Sequence, residues 1–312
     1  MEADAPNQPF PWLFVYFRQI YGGRCELDKS GELYIVPLTK EQYSDEAMHM
    51  AWSRDGVQWT PLNDNRPILS APSGGGIRDP FVRRGHDGAF HLLATGGTAS
   101  ASLWCASTSD LARWPTPTSI PLMATIAGAR HLWAPEFLFD PQAGDYFVYW
   151  SSSFSQHGWE GASAWCCRTR DFIHFTTPRK LFDPGYTIID AHIFLGHGRY
   201  YMIFKDERFG VAFGEHRYLL VAAAEQLEGP WETLTGAITP SLTEGPAVMR
   251  HPDGRSLLYC DHCMANRYGL FESRDLLNWS AVEGTRFPAH ARHGSLLAIS
   301  EAELAQLRQT HP

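Results

Sequence analysis

Charge is scarce in this sequence, and no stretch of it is strongly basic. Only 19% of the 312 residues are charged, and the formal net charge is -8. Nucleic acids and anionic membranes attract clustered lysine and arginine, so we expect neither partner. A run of about 18 apolar residues, which a membrane-spanning helix requires, is also missing. The first residues show no basic segment followed by an apolar one, and the default expectation is a cytoplasmic location.

Cysteine is sparse as well. Six cysteines are too few for a disulfide scaffold of this length and fit a reducing compartment. Cys260 and Cys263 flank His262, but no second pair of ligands stands at a zinc-binding spacing, so buried thiols are the favoured interpretation. Motifs for a nucleophilic serine, a Walker A loop or a dinucleotide site do not occur. The glycine run at 74–76 leads into a strand, which argues against a phosphate cradle.

Helical periodicity is nearly absent, and a repeat takes its place. Five segments share a small polar residue, often Asp, a short turn and then an aromatic residue. The aromatic residues are Trp59, Trp114, Phe175, Trp231 and Trp279, about 55 residues apart. Short apolar runs before each of them are typical of strands. Repeats of this length with about four strands each are typical of propeller blades. We therefore predict an all-β, five-bladed β-propeller in one domain, over about residues 12–300, with the aromatics packed between blades.

The first repeat lacks an innermost strand of its own. Its strands are predicted at 13–17, 33–37 and 48–53. The missing strand is predicted in the segment that begins at His290, so that the N- and C-terminal segments pair and close the ring. A short helix follows from Ser300, which is predicted as N-cap, with Glu303 completing a capping box.

Polar residues recur where the predicted inner strands begin. Inner strands of a propeller run side by side along its axis, so equivalent positions meet at one mouth. The residues at matching phase are Asp79, Glu136, Asp190, Glu244 and His293. Four acids at one mouth would raise each other's pKa values and cost stability, which favours a functional role. Carboxylates without a nucleophilic serine or cysteine suit glycoside hydrolysis, where one acid protonates the leaving oxygen and another activates water or attacks carbon.

These motifs resemble those of glycoside hydrolase family 43, the five-bladed propeller enzymes that act on arabinose- and xylose-containing glycans. The matching motifs are RDP at 78–80, WAPE at 133–136, IDAHIF at 189–194, EGP at 244–246 and RHG at 292–294. The resemblance implies an inverting mechanism with Asp79 as general base and Glu244 as general acid. It implies that Asp190 orients Glu244 and raises its pKa. No cofactor is required for this chemistry.

The resemblance also implies a sugar site and a candidate metal ligand. The residues predicted to contact substrate are Trp133, Glu136, Arg78, His192 and Trp159. His293 resembles an axial histidine of the family and is a candidate ligand for a structural calcium ion, although calcium prefers oxygen ligands. The alternative for His293 is a hydrogen-bonded core histidine.

The expected activity is exo-acting hydrolysis of arabinose-containing oligosaccharides by an α-L-arabinofuranosidase, with β-xylosidase as the alternative enzyme. A retaining fructan or sucrose hydrolase is disfavoured, because the run at 63–66 lacks an Asn-Asp-Pro context. A non-catalytic sugar-binding propeller is the alternative outside the enzyme class. Loops at 18–33, 39–46 and 154–161 are predicted to close one end of a cleft. The linkage and the oligomeric state stay open.

Overall fold

The computed structural model describes residues 10–19, 23–27, 33–37, 44–72, 75–154, 159–208, 216–263 and 265–312. Within these ranges the strands form five antiparallel four-stranded sheets and a separate two-stranded hairpin, and one α-helix follows them. Each sheet is one blade of a ring, as the repeat predicts.

Each blade is described from its inner strand outwards. Blade I contains β22 (Ala291–Ala298), β1 (Trp12–Gln19), β4 (Ser44–Ser53) and β5 (Thr60–Pro61). Blade II contains β6 (Arg78–Arg84), β7 (Phe90–Thr95), β8 (Leu103–Thr108) and β9 (Thr118–Ile120). Blade III contains β10 (Trp133–Asp140), β11 (Asp145–Ser152), β12 (Ser163–Thr169) and β13 (Arg179–Phe182). Blade IV contains β14 (Ile188–Gly196), β15 (Arg199–Asp206), β16 (Leu219–Ala224) and β17 (Glu232–Thr233). Blade V contains β18 (Thr243–Arg250), β19 (Ser256–His262), β20 (Arg267–Ser273) and β21 (Ser280–Ala281).

The inner strands close the ring around a common axis. β6 lies between β22 and β10, β14 lies between β10 and β18, and β18 contacts β22. Blade I takes its inner strand from the far end of the chain, where Trp12 on β1 pairs opposite Ala298 on β22. The predicted five-bladed propeller, closed by its N- and C-terminal segments, is confirmed.

One strand prediction for blade I is wrong. The segment Leu33–Pro37, which is β3, pairs with β2 (Gly23–Leu27) as a separate hairpin. Inside the blade, β1 pairs directly with β4, and Gln19 lies opposite Ser44. The apolar pattern of 33–37 is typical of any strand. Only the pairing shows that this strand lies outside the four-stranded sheet of blade I.

The repeated aromatic residues pack in the hydrophobic clusters between the sheets. Trp59 is fully buried against Phe14 and Tyr259. The equivalent aromatics of the other blades lie against the remaining core clusters. The predicted packing role is therefore confirmed. Cys105, Cys166, Cys167, Cys260 and Cys263 are buried and form no disulfide.

The helix α1 (Glu301–Thr310) follows β22 directly. Ser300 caps it, and Glu303 completes the predicted capping box. Leu304 and Leu307 are buried in the cluster that joins blades I and II. In the described ranges, no helix combines the length and the apolar character that a bilayer span requires.

Candidate active site

Every inner strand begins with a β-bulge at the same end of the ring. The pairing register shifts around Asp79, Ala134, Asp190, Gly245 and His293 in the five blades. The first four of these residues have φ between 47° and 62°, which is uncommon for residues other than glycine. Bulges re-aim side chains and are frequent beside active sites. Here they bring one residue of each blade to a common mouth.

Two aspartates from opposite sides of the ring meet at His293. Oδ1 of Asp79 lies 3.5 Å from Nδ1 of His293, and Oδ2 of Asp190 lies 3.7 Å from the same nitrogen. Thr95 donates a 2.6 Å hydrogen bond to Asp79, and the amide of Gly245 donates a 3.1 Å bond to Asp190. Burial opposes a charged imidazole, but the carboxylates of Asp190 and Asp79 outweigh it and raise the pKa of His293.

Gly245 brings the third acid to this mouth. A Cβ atom on Gly245 would lie 2.6 Å from Cγ of His293, and the residue has φ +62°. The close approach requires glycine, and the positive φ favours it. Glu244 precedes it, and its carboxylate is half-buried. Oε2 of Glu244 accepts a 2.7 Å hydrogen bond from Nζ of Lys205, and Oε1 accepts one from Nη2 of Arg292.

The pKa values of Asp190 and Glu244 shift in opposite directions. Burial raises the pKa of Asp190 to about 7, with His293 opposing the rise and Glu244 adding to it. Burial also acts to raise the pKa of Glu244, but Lys205 and Arg292 outweigh it and hold that pKa well below its usual range. The expected rise in the pKa of Glu244 is therefore wrong for the free protein. The two cations in direct contact override the repulsion from Asp190.

The shared phase predicted for the acids is also wrong in two blades. In blade III, Glu136 lies two residues after the bulged residue Ala134. His192 occupies the equivalent position in blade IV, two residues after Asp190. Glu244 lies one residue before the bulge at Gly245. A bulge adds an unpaired residue to its strand, so an alignment based on acidic residues does not reproduce the register.

Glu136 and His192 lie beneath the mouth and bond to each other. Nδ1 of His192 is 2.9 Å from Oε2 of Glu136, which also accepts a 2.6 Å hydrogen bond from Tyr149. The amide of Val248 donates to Nε2 of His192 at 3.1 Å, so Nδ1 carries the hydrogen of the neutral ring. Both side chains are only 4% exposed. This geometry joins blades III, IV and V and does not support the predicted sugar contact.

The other residues predicted to contact substrate lie at the surface of the mouth or beside it. The indole of Trp133 stacks on His131 at 3.8 Å between ring centroids, and Trp159 lies 6.4 Å from Trp133. Trp159 is 37% exposed, which is rare here for a large apolar side chain. Arg78 pairs with Glu46 of blade I at 2.8 Å.

The donors around His293 do not fit a calcium ion. Calcium takes six to eight oxygen ligands. The described residues contain no group of three or more His, Cys, Asp or Glu side chains arranged to hold a metal. Nδ1 of His293 instead lies 3.5 Å and 3.7 Å from the carboxylate oxygens of Asp79 and Asp190.

The strands that flank all three predicted closing loops meet those loops at the end of the ring where the acids lie. β1 ends at Gln19 and β4 begins at Ser44, opposite the start of β22, so the connection that carries the β2–β3 hairpin leaves from this end. The loop between β11 and β12, which carries Trp159, also leaves from this end. His157, which the sequence places in that loop, lies outside the described residues.

Sequence reasoning missed two residues of the site. Lys205, at the end of β15, and Arg292, inside the RHG motif, make the direct contacts to Glu244. Lys205 stands at a position that recurs at the blade period and is occupied in other blades by Thr95, Ser151 and Asp261. That recurrence was the signal available in the sequence.

A family model described as a probable glycosyl hydrolase domain, related to glycoside hydrolase family 43, matches residues 31–305. The chain belongs to this family. An α-L-arabinofuranosidase of Bifidobacterium longum subsp. longum is 27% identical over 60% of this chain and 22% of its own length. The chain thus spans about a fifth of that curated relative.

Solved structures share the propeller fold of this glycoside hydrolase 43-related chain. A thermostable family-43 glycoside hydrolase aligns with a TM-score of 0.57 and 20% identity, over 70% of this chain and 76% of that one. An α-L-arabinofuranosidase from Clostridium thermocellum aligns with a TM-score of 0.57 and 13% identity, over 84% of this chain and 93% of that one. An exo-β-1,3-galactanase from Phanerochaete chrysosporium aligns with a TM-score of 0.58 and 15% identity, over 86% of this chain and 67% of that one.

Proposed function

We propose that this protein is an inverting glycoside hydrolase that releases arabinose from oligosaccharides, as an exo-acting α-L-arabinofuranosidase. The observation that carries the proposal is the position of three acids from three blades at one mouth: Asp79 and Asp190 lie beside His293, and Glu244 is near enough to Asp190 to raise its pKa. Membership of the family and the similarity to an α-L-arabinofuranosidase support it. Three acids held together in this way cost stability, which a purely structural role would not repay.

The proposed roles follow from the contacts of each acid. Asp79, held by Thr95, is the base that takes a proton from the attacking water. Glu244 donates its proton to the glycosidic oxygen as the bond from that oxygen to the anomeric carbon breaks. Asp190 fixes the strand entry of Glu244 through the amide of Gly245.

Glu244 must carry a proton to act as the donor. The two cations beside it favour its carboxylate form, so the protonated form is a minority in the free protein at neutral pH. We expect activity to rise as the pH falls below neutral, until the general base also becomes protonated.

The sugar is proposed to bind against the aromatic side chains at the rim. Trp133 and Trp159 offer ring faces for a sugar. Arg78, which is ion-paired to Glu46 and half-buried, borders the base. The assignment of arabinose in preference to xylose comes from the relative's activity and not from a contact in this chain.

A panel of aryl glycosides tests the proposal. Wild-type protein should release the aglycone from the α-L-arabinofuranoside, with the β-xyloside as the competing substrate. Asp79→Asn should lower kcat/KM by about 10²- to 10⁴-fold, because general base catalysis contributes factors of this size. Proton NMR of the first-formed sugar should show the inverted anomer.

Two outcomes would overturn the proposal in different ways. Binding of arabinose-containing oligosaccharides without hydrolysis of any glycoside would identify a sugar-binding propeller. Retention of configuration would contradict the inverting mechanism. A fructan or sucrose hydrolase is not favoured, because the side chain of Asp64 is 83% exposed and pairs with Arg66.

A further inference from the structure

In each blade, one residue of the second strand pairs with the inner-strand residue that directly precedes the bulge. In blades II, III and V this residue is Thr95, Ser151 or Asp261. In each case a side-chain oxygen accepts a hydrogen bond, 2.8 to 3.1 Å long, from the backbone amide of the bulged residue in the next blade. In these three blades the position joins neighbouring blades through an oxygen acceptor, whereas in blade I it is occupied by Phe17.

Blade IV departs from that pattern. The residue opposite Ile189 is Lys205, and an ammonium group cannot accept a hydrogen bond. The amide of the next bulged residue, Gly245, donates to Asp190 instead. Nζ of Lys205 crosses the seam between blades IV and V and donates to Oε2 of Glu244 at 2.7 Å.

Lys205 belongs to a chain of alternating charges. Its Nζ also lies 2.7 Å from Oε2 of Glu207, and Glu207 pairs in turn with Arg217. On the other side of Glu244, Nη2 of Arg292 donates to the second carboxylate oxygen, Oε1. The Lys205 side chain is 1% exposed, that of Arg292 is 2% exposed, and that of Glu244 is 17% exposed. Glu244 is thus the member of this central trio that opens to the mouth.

Burying an ammonium group between two carboxylates is an expensive way to join two blades. Desolvation of buried ions can exceed their mutual attraction, and an apolar or neutral replacement is often no less stable. A serine or threonine fills the same position in blades II and III. The charge at position 205 therefore points to a task at the mouth rather than to stability.

We propose that Lys205 is the positioning residue of the proton donor. It fixes Oε2 of Glu244 while Arg292 fixes Oε1, so that the carboxyl group keeps one orientation at the mouth. As the proton passes from Glu244 to the leaving oxygen and the glycosidic bond breaks, negative charge develops on Glu244 beside Nζ of Lys205. A fixed cation at that place stabilises the transition state. This inference rests on the proposed function.

Other charged and titratable groups face Glu244 from every neighbouring element. They are Asp190 of β14, Arg217 between β15 and β16, Asp261 of β19, Cys263 just after β19, and Arg292 of β22. Lys205 and Arg292 are the cations bonded to the carboxylate. Loss of Lys205 removes one of these two and leaves the acidic neighbours in place, so the protonated form of Glu244 should persist to higher pH.

The test compares leaving groups in Lys205→Met. A 2,4-dinitrophenyl glycoside needs little help from a proton donor, whereas an alkyl glycoside or a disaccharide of the same sugar needs it fully. Compared at the pH optimum of each variant, where the change in the pKa of Glu244 does not mask the effect, kcat for the poor leaving group should fall about 10- to 100-fold more than kcat for the activated one. The alkaline limb of the pH profile should move to higher pH. Lys205→Arg, which keeps the charge, should recover part of the loss.

Controls separate this role from a structural one. Lys180→Met removes a surface lysine that pairs with Asp183 and should leave both rates unchanged. If Lys205→Met does not fold, Lys205→Met/Glu207→Gln, which removes both charges of one pair, is measured in its place. Equal losses for all leaving groups with an unmoved pH profile would overturn the inference while the proposed function stands. Inactive wild-type protein would overturn the proposed function itself.

Discussion

Asp190 and Glu244 are neighbours at the mouth, yet their surroundings drive their protonation in opposite directions. Burial raises the pKa of Asp190 to about 7, and two bonded cations lower that of Glu244. Environments that push the pKa values of two carboxyl groups apart are a recurring means of dividing acid and base roles. Here burial acts on Asp190, whereas Glu244 is bonded to Arg292 and to Lys205, which stands where blades II, III and V have an oxygen acceptor.

Glu136→Gln tests whether this residue belongs to the frame or to the sugar site. Its Oε2 accepts hydrogen bonds from Tyr149 and His192. The glutamine oxygen can accept from both donors, but its amide nitrogen then takes the place of Oε1, 3.2 Å from Nδ1 of His192, and is a buried donor that faces another donor. We expect a loss of about 1–3 kcal/mol in the free energy of unfolding, with KM changed less than about threefold. Urea denaturation and initial-rate kinetics check this.

Tyr149→Phe serves as the matched change, because it removes the same hydrogen bond from the other side. It should destabilise the fold in the same direction. A tenfold rise in KM for Glu136→Gln with unchanged stability would instead restore the sugar contact that the sequence predicts.

The identities of the site residues could be predicted from the sequence more fully than their positions. The motifs around Asp79, Asp190 and Glu244 predicted residues at one mouth, and Asp79 and Asp190 both lie beside His293 there. Their catalytic roles stay predictions. The position of Glu136 beneath the mouth could not be predicted, because the bulge adds one residue to the strand and no sequence feature shows which residue that is. The contact of Lys205 across a blade seam depends on tertiary packing alone.

At the scale of single elements, the repeat that reveals the propeller is a turn. In blade I, Oδ1 of Asp55 accepts hydrogen bonds of 2.8 Å from the amides of residues 57 and 58, and the indole of Trp59 donates to the carbonyl of Gly56. Asp110, Asp171 and Asp275 make related contacts in other blades. The repeat was visible in the sequence because Asp is favoured in such turns for this bonding.

Asp55→Ala should destabilise blade I without affecting the mouth. The turn loses its acceptor for two amides, which we expect to lower the free energy of unfolding by about 1–2 kcal/mol. Urea denaturation measures the loss. Asp55→Asn keeps one side-chain oxygen and should lose less. If alanine and asparagine proved equally harmless, the turn would owe its shape to Trp59 packing alone.

At the scale of the whole molecule, the ring depends on contacts between the two ends of the chain. β22 pairs with β1 along its length, and α1 packs Leu304 and Leu307 between blades I and II. The absence of an inner strand in the first repeat was enough to predict this closure. The β2–β3 hairpin could not be separated from the blade in the same way, because a strand pattern does not name its partner.

Buried histidines are distributed around this ring and should make the fold sensitive to acid. His49, His131 and His262 belong to blades I, III and V, and burial lowers the pKa of each to about 4 from an ordinary 6.5. A group with a depressed pKa contributes stability that is full above its unfolded pKa and is lost as the pH falls toward its folded pKa. Each imidazole contributes up to about 3 kcal/mol in this way. The free energy of unfolding should therefore fall steadily between pH 6.5 and pH 4.

Denaturation in urea at a series of pH values measures this slope. Replacement of a buried histidine by a neutral residue, as in His131→Gln or His262→Gln, should make the slope shallower, because a side chain that never charges binds no proton on unfolding. His174→Gln is the matched change at a side chain that is 85% exposed, and it should leave the slope nearly as it is. A slope that the two buried variants do not alter would place the acid sensitivity in the carboxylates and not in these imidazoles.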